Sequence, residues 1–188
     1  FTEADYPWDW AGTQYNLGIA CLNSLAEDCP EILERAIAHF EAALRVYAEG
    51  DSPQQWAATQ SSLGKACSKR ATGARSENLR RAVACFEAAL RVRTEADFAQ
   101  DWAATQNDLG TVYQNLFAGD RAENLGRAIA CYEAALRVFT ETGFPQQWAR
   151  IQDSLGNVYV SLPAGERGEN LGRAIACYEA ALHVYTEG

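Results

Sequence analysis

The chain has 188 residues, of which 48% are hydrophobic and 11% aromatic, so it holds enough apolar material for a folded core. No segment is long and apolar enough to be predicted as a membrane span, and no signal peptide opens the sequence. The net charge of −9 argues against nucleic acid and anionic membranes as general partners, because phosphate binding depends on clustered Lys and Arg.

One phrase occurs four times at a constant interval of 46 residues. It reads WAGTQYNLGIAC at 10–21, WAATQSSLGKAC at 56–67, WAATQNDLGTVY at 102–113 and WARIQDSLGNVY at 148–159. The interval predicts four repeats without insertions, at residues 5–50, 51–96, 97–142 and 143–188, and internal periods of this size are typical of solenoids. Residues 1–4 (FTEA) resemble the end of a preceding repeat, and a chain without an initiator Met is expected to be processed or part of something longer.

Each repeat is predicted to begin with a helix that starts near Pro7, Pro53, Ala99 or Pro145, since proline is tolerated in a first helical turn. In the third repeat the apolar residues recur at helical spacing from Trp102 to Leu116. Turn-forming residues then end the helix, for example FAGDR at 117–121 and PAGER at 163–167.

A second helix is predicted in each repeat, at 123–141 in the third, where an apolar stripe of period near 3.6 runs beside the pairs Glu123–Arg127 and Glu133–Arg137. Gly50, Gly143 and Gly188 stand where a helix C-terminus would favour glycine. Each repeat is therefore expected to form a helical hairpin, and the hairpins must stack to bury their apolar faces.

The letters that stay constant are interpreted as packing residues. Glycine inside a helix costs about 1 kcal/mol relative to alanine, so its retention predicts a neighbouring helix that crosses too closely for a side chain. The expected structural residues are the four helical glycines and the four tryptophans that open each phrase: Gly18, Gly64, Gly110, Gly156, Trp10, Trp56, Trp102 and Trp148.

The sequence LGTVY at 109–113, followed by Ala128, Tyr132, Ala135 and Leu136, resembles the tetratricopeptide repeat family. The resemblance covers essentially the whole chain and implies an all-α fold, a right-handed α-solenoid of four helix–turn–helix repeats. The repeat is longer than the family's usual 34 residues or so. The sequence of the whole repeat is similar to long repeat arrays in bacterial, notably cyanobacterial, signalling proteins, where the arrays accompany caspase-like peptidase domains. This resemblance implies that the chain comes from a longer parent protein with such a domain.

No catalytic, metal or cofactor site is expected. His39 and His183 replace Cys and Arg of the other repeats, no His/Cys cluster has metal-ligand spacing, and the glycines do not form a phosphate-binding loop. Equivalent cysteines of stacked hairpins should lie about 10 Å apart, beyond disulfide reach, which predicts reduced thiols and a cytoplasmic location. Cys29, beside Pro30, is the candidate reactive thiol, although an inert turn residue is favoured.

The letters that change between repeats recur four and three residues apart in the first helix. We define the variable face as these columns and the two that flank them: Tyr15/Ser61/Asn107/Asp153, Ile19/Lys65/Thr111/Asn157 and Leu22/Ser68/Gln114/Val160, flanked by Asn16/Ser62/Asp108/Ser154 and Asn23/Lys69/Asn115/Ser161. The resemblance implies that this face lines a concave groove that binds a protein or peptide; free drift of exposed positions is the alternative. Lys65 and Lys69 belong to the second repeat, which carries +4 in an acidic chain, either a docking feature or a local accident. The candidate binding residues are Tyr15, Lys65, Lys69, Asn107, Thr111, Gln114, Asp153 and Asn157.

The function expected from these features is a protein-interaction scaffold. Two alternatives remain open: a spacer that stacks end to end, giving a weak homo-oligomer through uncapped terminal repeats, and a regulatory array of a larger peptidase-containing parent. A nucleic-acid or membrane partner is not expected.

Overall fold

The computed structural model describes residues 4–24, 30–70, 72–163 and 165–187. These residues form eight α-helices and no strand. Consecutive helices pair into four hairpins, one in each 46-residue repeat, so the predicted all-α fold of stacked helical hairpins, the α-solenoid class, is confirmed. None of the described helices has the length and hydropathy needed to cross a membrane. The helices are α1 (Pro7–Leu22), α2 (Pro30–Ala43), α3 (Pro53–Lys69), α4 (Arg75–Val92), α5 (Ala99–Asn115), α6 (Arg121–Leu136), α7 (Pro145–Ser161) and α8 (Arg167–Glu187).

The chain contains two compact units, residues 1–94 (unit 1) and residues 95–188 (unit 2). In unit 1 the two helices of each hairpin pack together, α2 packs on α3, and α1 also touches α3. Unit 2 repeats this arrangement with α5 to α8. Within each unit, the second helix of one hairpin is thus covered by the first helix of the next.

The first helices begin where the sequence predicts, with Pro7, Pro53 and Pro145 in the first turn of α1, α3 and α7. The predicted end of the second helix is wrong, because α6 stops at Leu136 rather than residue 141. Phe139 turns back into the core, where it is 7% exposed and packs edge-on against Phe144 at 5.3 Å.

Gly50 and Gly143 therefore do not end a helix; both lie in turns well beyond the last residues of α2 and α6, and Gly188 lies outside the described residues. The described glycines with positive φ lie in the turns inside the second, third and fourth hairpins, for example Gly119 with φ of 87°. A buried asparagine closes the same turn: Asn124 Nδ2 donates to the backbone oxygens of Leu116 at 2.9 Å and Ala118 at 3.0 Å. Asn78 makes equivalent bonds in the second repeat.

An aromatic ring of the second helix packs directly on each of the four repeated glycines of the first helices. A Cβ placed on Gly110 would lie 2.9 Å from Tyr132 Cε1, and one on Gly18 would lie 2.5 Å from Phe40 Cε1. Both rings are fully buried. The close neighbour is thus an aromatic side chain rather than a crossing backbone. Gly64 faces Phe86 and Gly156 faces Tyr178 in the same way.

Arginines near the C-terminal ends of the second helices stack on the tryptophans of the first helices in three of the repeats. The guanidinium carbon of Arg137 lies 5.0 Å from the Trp102 ring centroid, and the same group donates to Glu95 at 3.1 and 2.7 Å. Trp102 is the most buried of the four equivalent tryptophans, since Trp10, Trp56 and Trp148 are half-buried. The equivalent pairs are Arg45 on Trp10 at 5.0 Å and Arg91 on Trp56 at 5.2 Å, with Arg91 also bonded to Glu49.

Candidate functional site

The variable face lies on the first helix of each hairpin, and the two units present it differently. In unit 1 Tyr15 is half-buried, with its ring centroid 6.0 Å from that of Phe40. Lys65 is half-buried and Lys69 is exposed, both on α3. In unit 2 Thr111, Asp153 and Asn157 are exposed, while Asn107 and Gln114 are half-buried.

Three positions of the variable face are buried. Leu22, Ser61 and Ser62 are 7%, 4% and 8% exposed. On α3, which contacts α1, α2 and α4, the small side chains of the two serines leave little area exposed. On α7, which has the matching three neighbours in unit 2, the larger Asp153 is exposed.

Much of the basic charge of the second repeat is paired with the acidic first repeat inside unit 1. Arg70 Nε lies 2.6 Å from Glu34 Oε1, Arg81 pairs with Glu41, and Arg91 pairs with Glu49. A hydrogen bond from Thr72, together with the Arg70 guanidinium, lowers the pKa of Glu34 against the opposing effect of desolvation. The excess of cations in this repeat is therefore partly a packing feature.

In unit 2 the hydroxyl of Tyr132 connects the core to the variable face. It donates to Gln114 Oε1 at 2.8 Å and lies 3.2 Å from Thr111 Oγ1, both on α5. Burial raises the pKa of Tyr132, and hydrogen bonds to Thr111 and to Ser154 of α7 partly oppose this. The hydroxyl is consequently protonated and able to donate at neutral pH, and the buried ring fixes its position.

The hydroxyl of Tyr178 makes the corresponding contact in the last hairpin. It donates to Asn157 Oδ1 at 3.0 Å, and Asn157 Nδ2 donates to the backbone oxygen of Asp153 at 3.0 Å and to its Oδ2 at 3.3 Å. On α5 the Thr111 hydroxyl donates to the backbone oxygen of Asn107 at 3.1 Å. We call the set Asn107, Thr111, Gln114, Asp153 and Asn157 the amide face of unit 2.

Unit 1 lacks these bonds because phenylalanine occupies the equivalent ring position. Phe40 packs on Gly18 and Phe86 on Gly64, and neither ring carries a hydroxyl. The positions that match Thr111 and Gln114 are Ile19 and Leu22 in the first repeat and Lys65 and Ser68 in the second. Sequence reasoning missed this link, although the exchange of Phe for Tyr at the ring position is visible in the sequence.

The model of a protein family described as "SNAP: Soluble NSF attachment protein, SNAP" matches residues 75–188, more than half of the chain. The chain belongs to the soluble NSF attachment protein family. The match begins at the first residue of α4 and extends through α8, and the hairpins fit a tetratricopeptide-like repeat protein. Comparisons with curated proteins and with solved structures gave no match.

This SNAP-family chain carries no group of His, Cys, Asp and Glu side chains within its described residues that could hold a metal ion. The five described cysteines are free thiols, and burial raises the pKa of Cys85 to about 12. Cys29, the candidate reactive thiol, lies outside the described residues. His39 Nδ1 lies 2.6 Å from Gln14 Oε1, a contact within the first hairpin.

Proposed function

We propose that the chain is a non-enzymatic attachment module that binds a protein or peptide partner through the variable face of its first helices. The description of its family names attachment proteins. The observation that carries the proposal is the amide face, where hydrogen bonds from the buried Tyr132 and the half-buried Tyr178 hold polar side chains in one orientation. Fixed polar groups lose less conformational entropy on binding than mobile ones.

On α3 of unit 1, Lys65 and Lys69 lie four residues apart, one helical turn. This pair suits an acidic segment or a C-terminal carboxylate. A charge contact at a partly exposed surface contributes about 1 kcal/mol and weakens with salt. We therefore propose charge recognition for unit 1 and, as a separate contact, neutral hydrogen bonds for unit 2. The half-buried ring of Tyr15, on α1, would border the charged part of the face.

The test is selection of peptides from a displayed random library on the immobilised chain, followed by calorimetry on the selected peptides. We expect acidic peptides whose binding is lost in Lys65→Glu/Lys69→Glu and weakened by salt. Arg35→Glu/Arg80→Glu is the matched control, because it makes the same charge change at exposed positions on the second helices of unit 1. Equal loss in both variants, or normal binding in the lysine variant, would refute charge recognition by α3.

A second candidate, stacking of one copy on another, is favoured by one face of α8. Ile175 and Leu182 are 56% and 59% exposed, and Leu171 and Tyr185 are 37% and 55% exposed. Leu125 and Phe139 match Leu171 and Tyr185 in the third hairpin, where α7 packs on the second helix, α6. They are only 0% and 7% exposed. Sedimentation at rising concentration should show weak association that Ile175→Glu/Leu182→Glu removes. A strict monomer at high concentration would exclude this candidate.

A further inference from the structure

We propose that Tyr132 and Tyr178 are positioning residues that make the amide face of unit 2 a site for the main chain of an extended peptide. The inference rests on the proposed function and adds the chemistry that unit 2 recognises. Both tyrosines belong to the second helices, yet their hydroxyls bond to side chains of the first helices. Their rings supply packing against Gly110 and Gly156, and their hydroxyls supply orientation.

The Tyr132 hydroxyl leaves Gln114 as a donor. A primary amide offers two N–H donors and one carbonyl oxygen, and the oxygen of Gln114 already accepts from Tyr132. In the described part of the chain, no residue accepts a hydrogen bond from the Gln114 amide nitrogen. Its N–H groups are therefore held available for an acceptor such as a peptide carbonyl.

Asn157 has the opposite character. Its amide nitrogen is engaged by the backbone and side-chain oxygens of Asp153, and its oxygen accepts one bond from Tyr178. An amide oxygen has two lone pairs, so Asn157 keeps one acceptor position for a peptide N–H. The amide face thus combines a donor on α5 with an acceptor on α7, and these helices touch within unit 2.

An extended main chain matches this pair better than a charged side chain does. It presents both N–H and C=O groups and rises about 3.3 Å per residue, so the roughly 10 Å between packed helices corresponds to about three residues. Asp153 adds negative charge next to Asn157, which disfavours an anionic ligand at this place. Main-chain recognition also tolerates different ligand sequences.

The experiment uses the full chain and a peptide selected as above. Each main-chain amide of the peptide is replaced in turn by an ester, and affinities are measured for Tyr132→Phe, Gln114→Ala and the double variant. A neutral hydrogen bond predicts that Tyr132→Phe weakens binding roughly 3- to 10-fold. It should have no further effect in the Gln114→Ala background, because the hydroxyl acts through Gln114. The ester penalty at one position should also vanish in Tyr132→Phe.

Tyr113→Phe is the matched control, since it removes the hydroxyl of a buried tyrosine in the same hairpin, one that accepts a hydrogen bond from Arg127. It should leave affinity unchanged. Additive effects of Tyr132→Phe and Gln114→Ala, or an ester series with no position sensitive to Tyr132, would overturn the inference. If selected peptides depend on Lys65 and Lys69 and none depends on Gln114, the inference is overturned and the proposed function stands. A library that yields no peptide overturns both.

Discussion

Replacing Gly110 with alanine tests whether the aromatic ring packed on this glycine leaves no room for a side chain. An added Cβ would lie 2.9 Å from Cε1 and 3.0 Å from Cδ1 of Tyr132. That ring is fully buried, so it cannot move into solvent. Gly126→Ala is the control in the same hairpin, because its Cβ would have no neighbour within 4 Å.

The two variants share one favourable contribution and differ in one unfavourable contribution. Alanine in a helix interior stabilises by about 1 kcal/mol relative to glycine, and Gly126→Ala should gain about that much. Gly110→Ala adds overpacking of about 1–3 kcal/mol and loosens the Tyr132 hydrogen bond to Gln114. Gly110→Ala should consequently lower the free energy of unfolding by up to about 2 kcal/mol, and Gly110→Leu should lower it by several.

Urea unfolding followed by far-UV circular dichroism measures both variants, and the comparison is valid where the dependence on denaturant is unchanged. The difference between Gly110→Ala and Gly126→Ala should be about 1–3 kcal/mol. Equal stabilisation by both substitutions would refute the packing argument, since the ring would then have room for a methyl group.

Three further outcomes follow from contacts described above. Asn124→Ala should lower the free energy of unfolding by about 1–3 kcal/mol because it removes the donor to two turn carbonyls, whereas the exposed Asn115→Ala, measured by the same urea assay, should be nearly neutral. The Cys85 thiol should resist maleimide at pH 8 in the folded protein, since burial raises its pKa to about 12; mass spectrometry showing rapid labelling would contradict this. Glu95→Gln should lower stability by less than about 1 kcal/mol, an effect that disappears in high salt because its pair with Arg137 is exposed; a larger loss that persists in high salt would contradict it.

The hairpins could be predicted from the sequence because four copies show which letters packing requires, and because Pro7, Pro53 and Pro145 mark helix starts locally. The end of α6 could not, since helix propensity continues to residue 141 and tertiary packing of Phe139 overrides it. Periodicity likewise identifies the face of α3 but not how far each residue on it is buried, since Ser61 is 4% exposed while the matching Asp153 on α7 is exposed.

The bonds of the amide face were hidden for a related reason, because Tyr132 lies 18 residues from Gln114 and 21 from Thr111 in the chain. Phe and Tyr differ by one hydroxyl, so the ring on the helical glycine can be exchanged at little cost to packing. The ring of Phe86 carries no polar group, whereas the hydroxyl of Tyr132 donates a hydrogen bond that orients the side-chain amide of Gln114. A repeat protein can thus change the chemistry of its surface from inside its core, which explains how units 1 and 2 share one packing scheme yet present cations in one and oriented amides in the other.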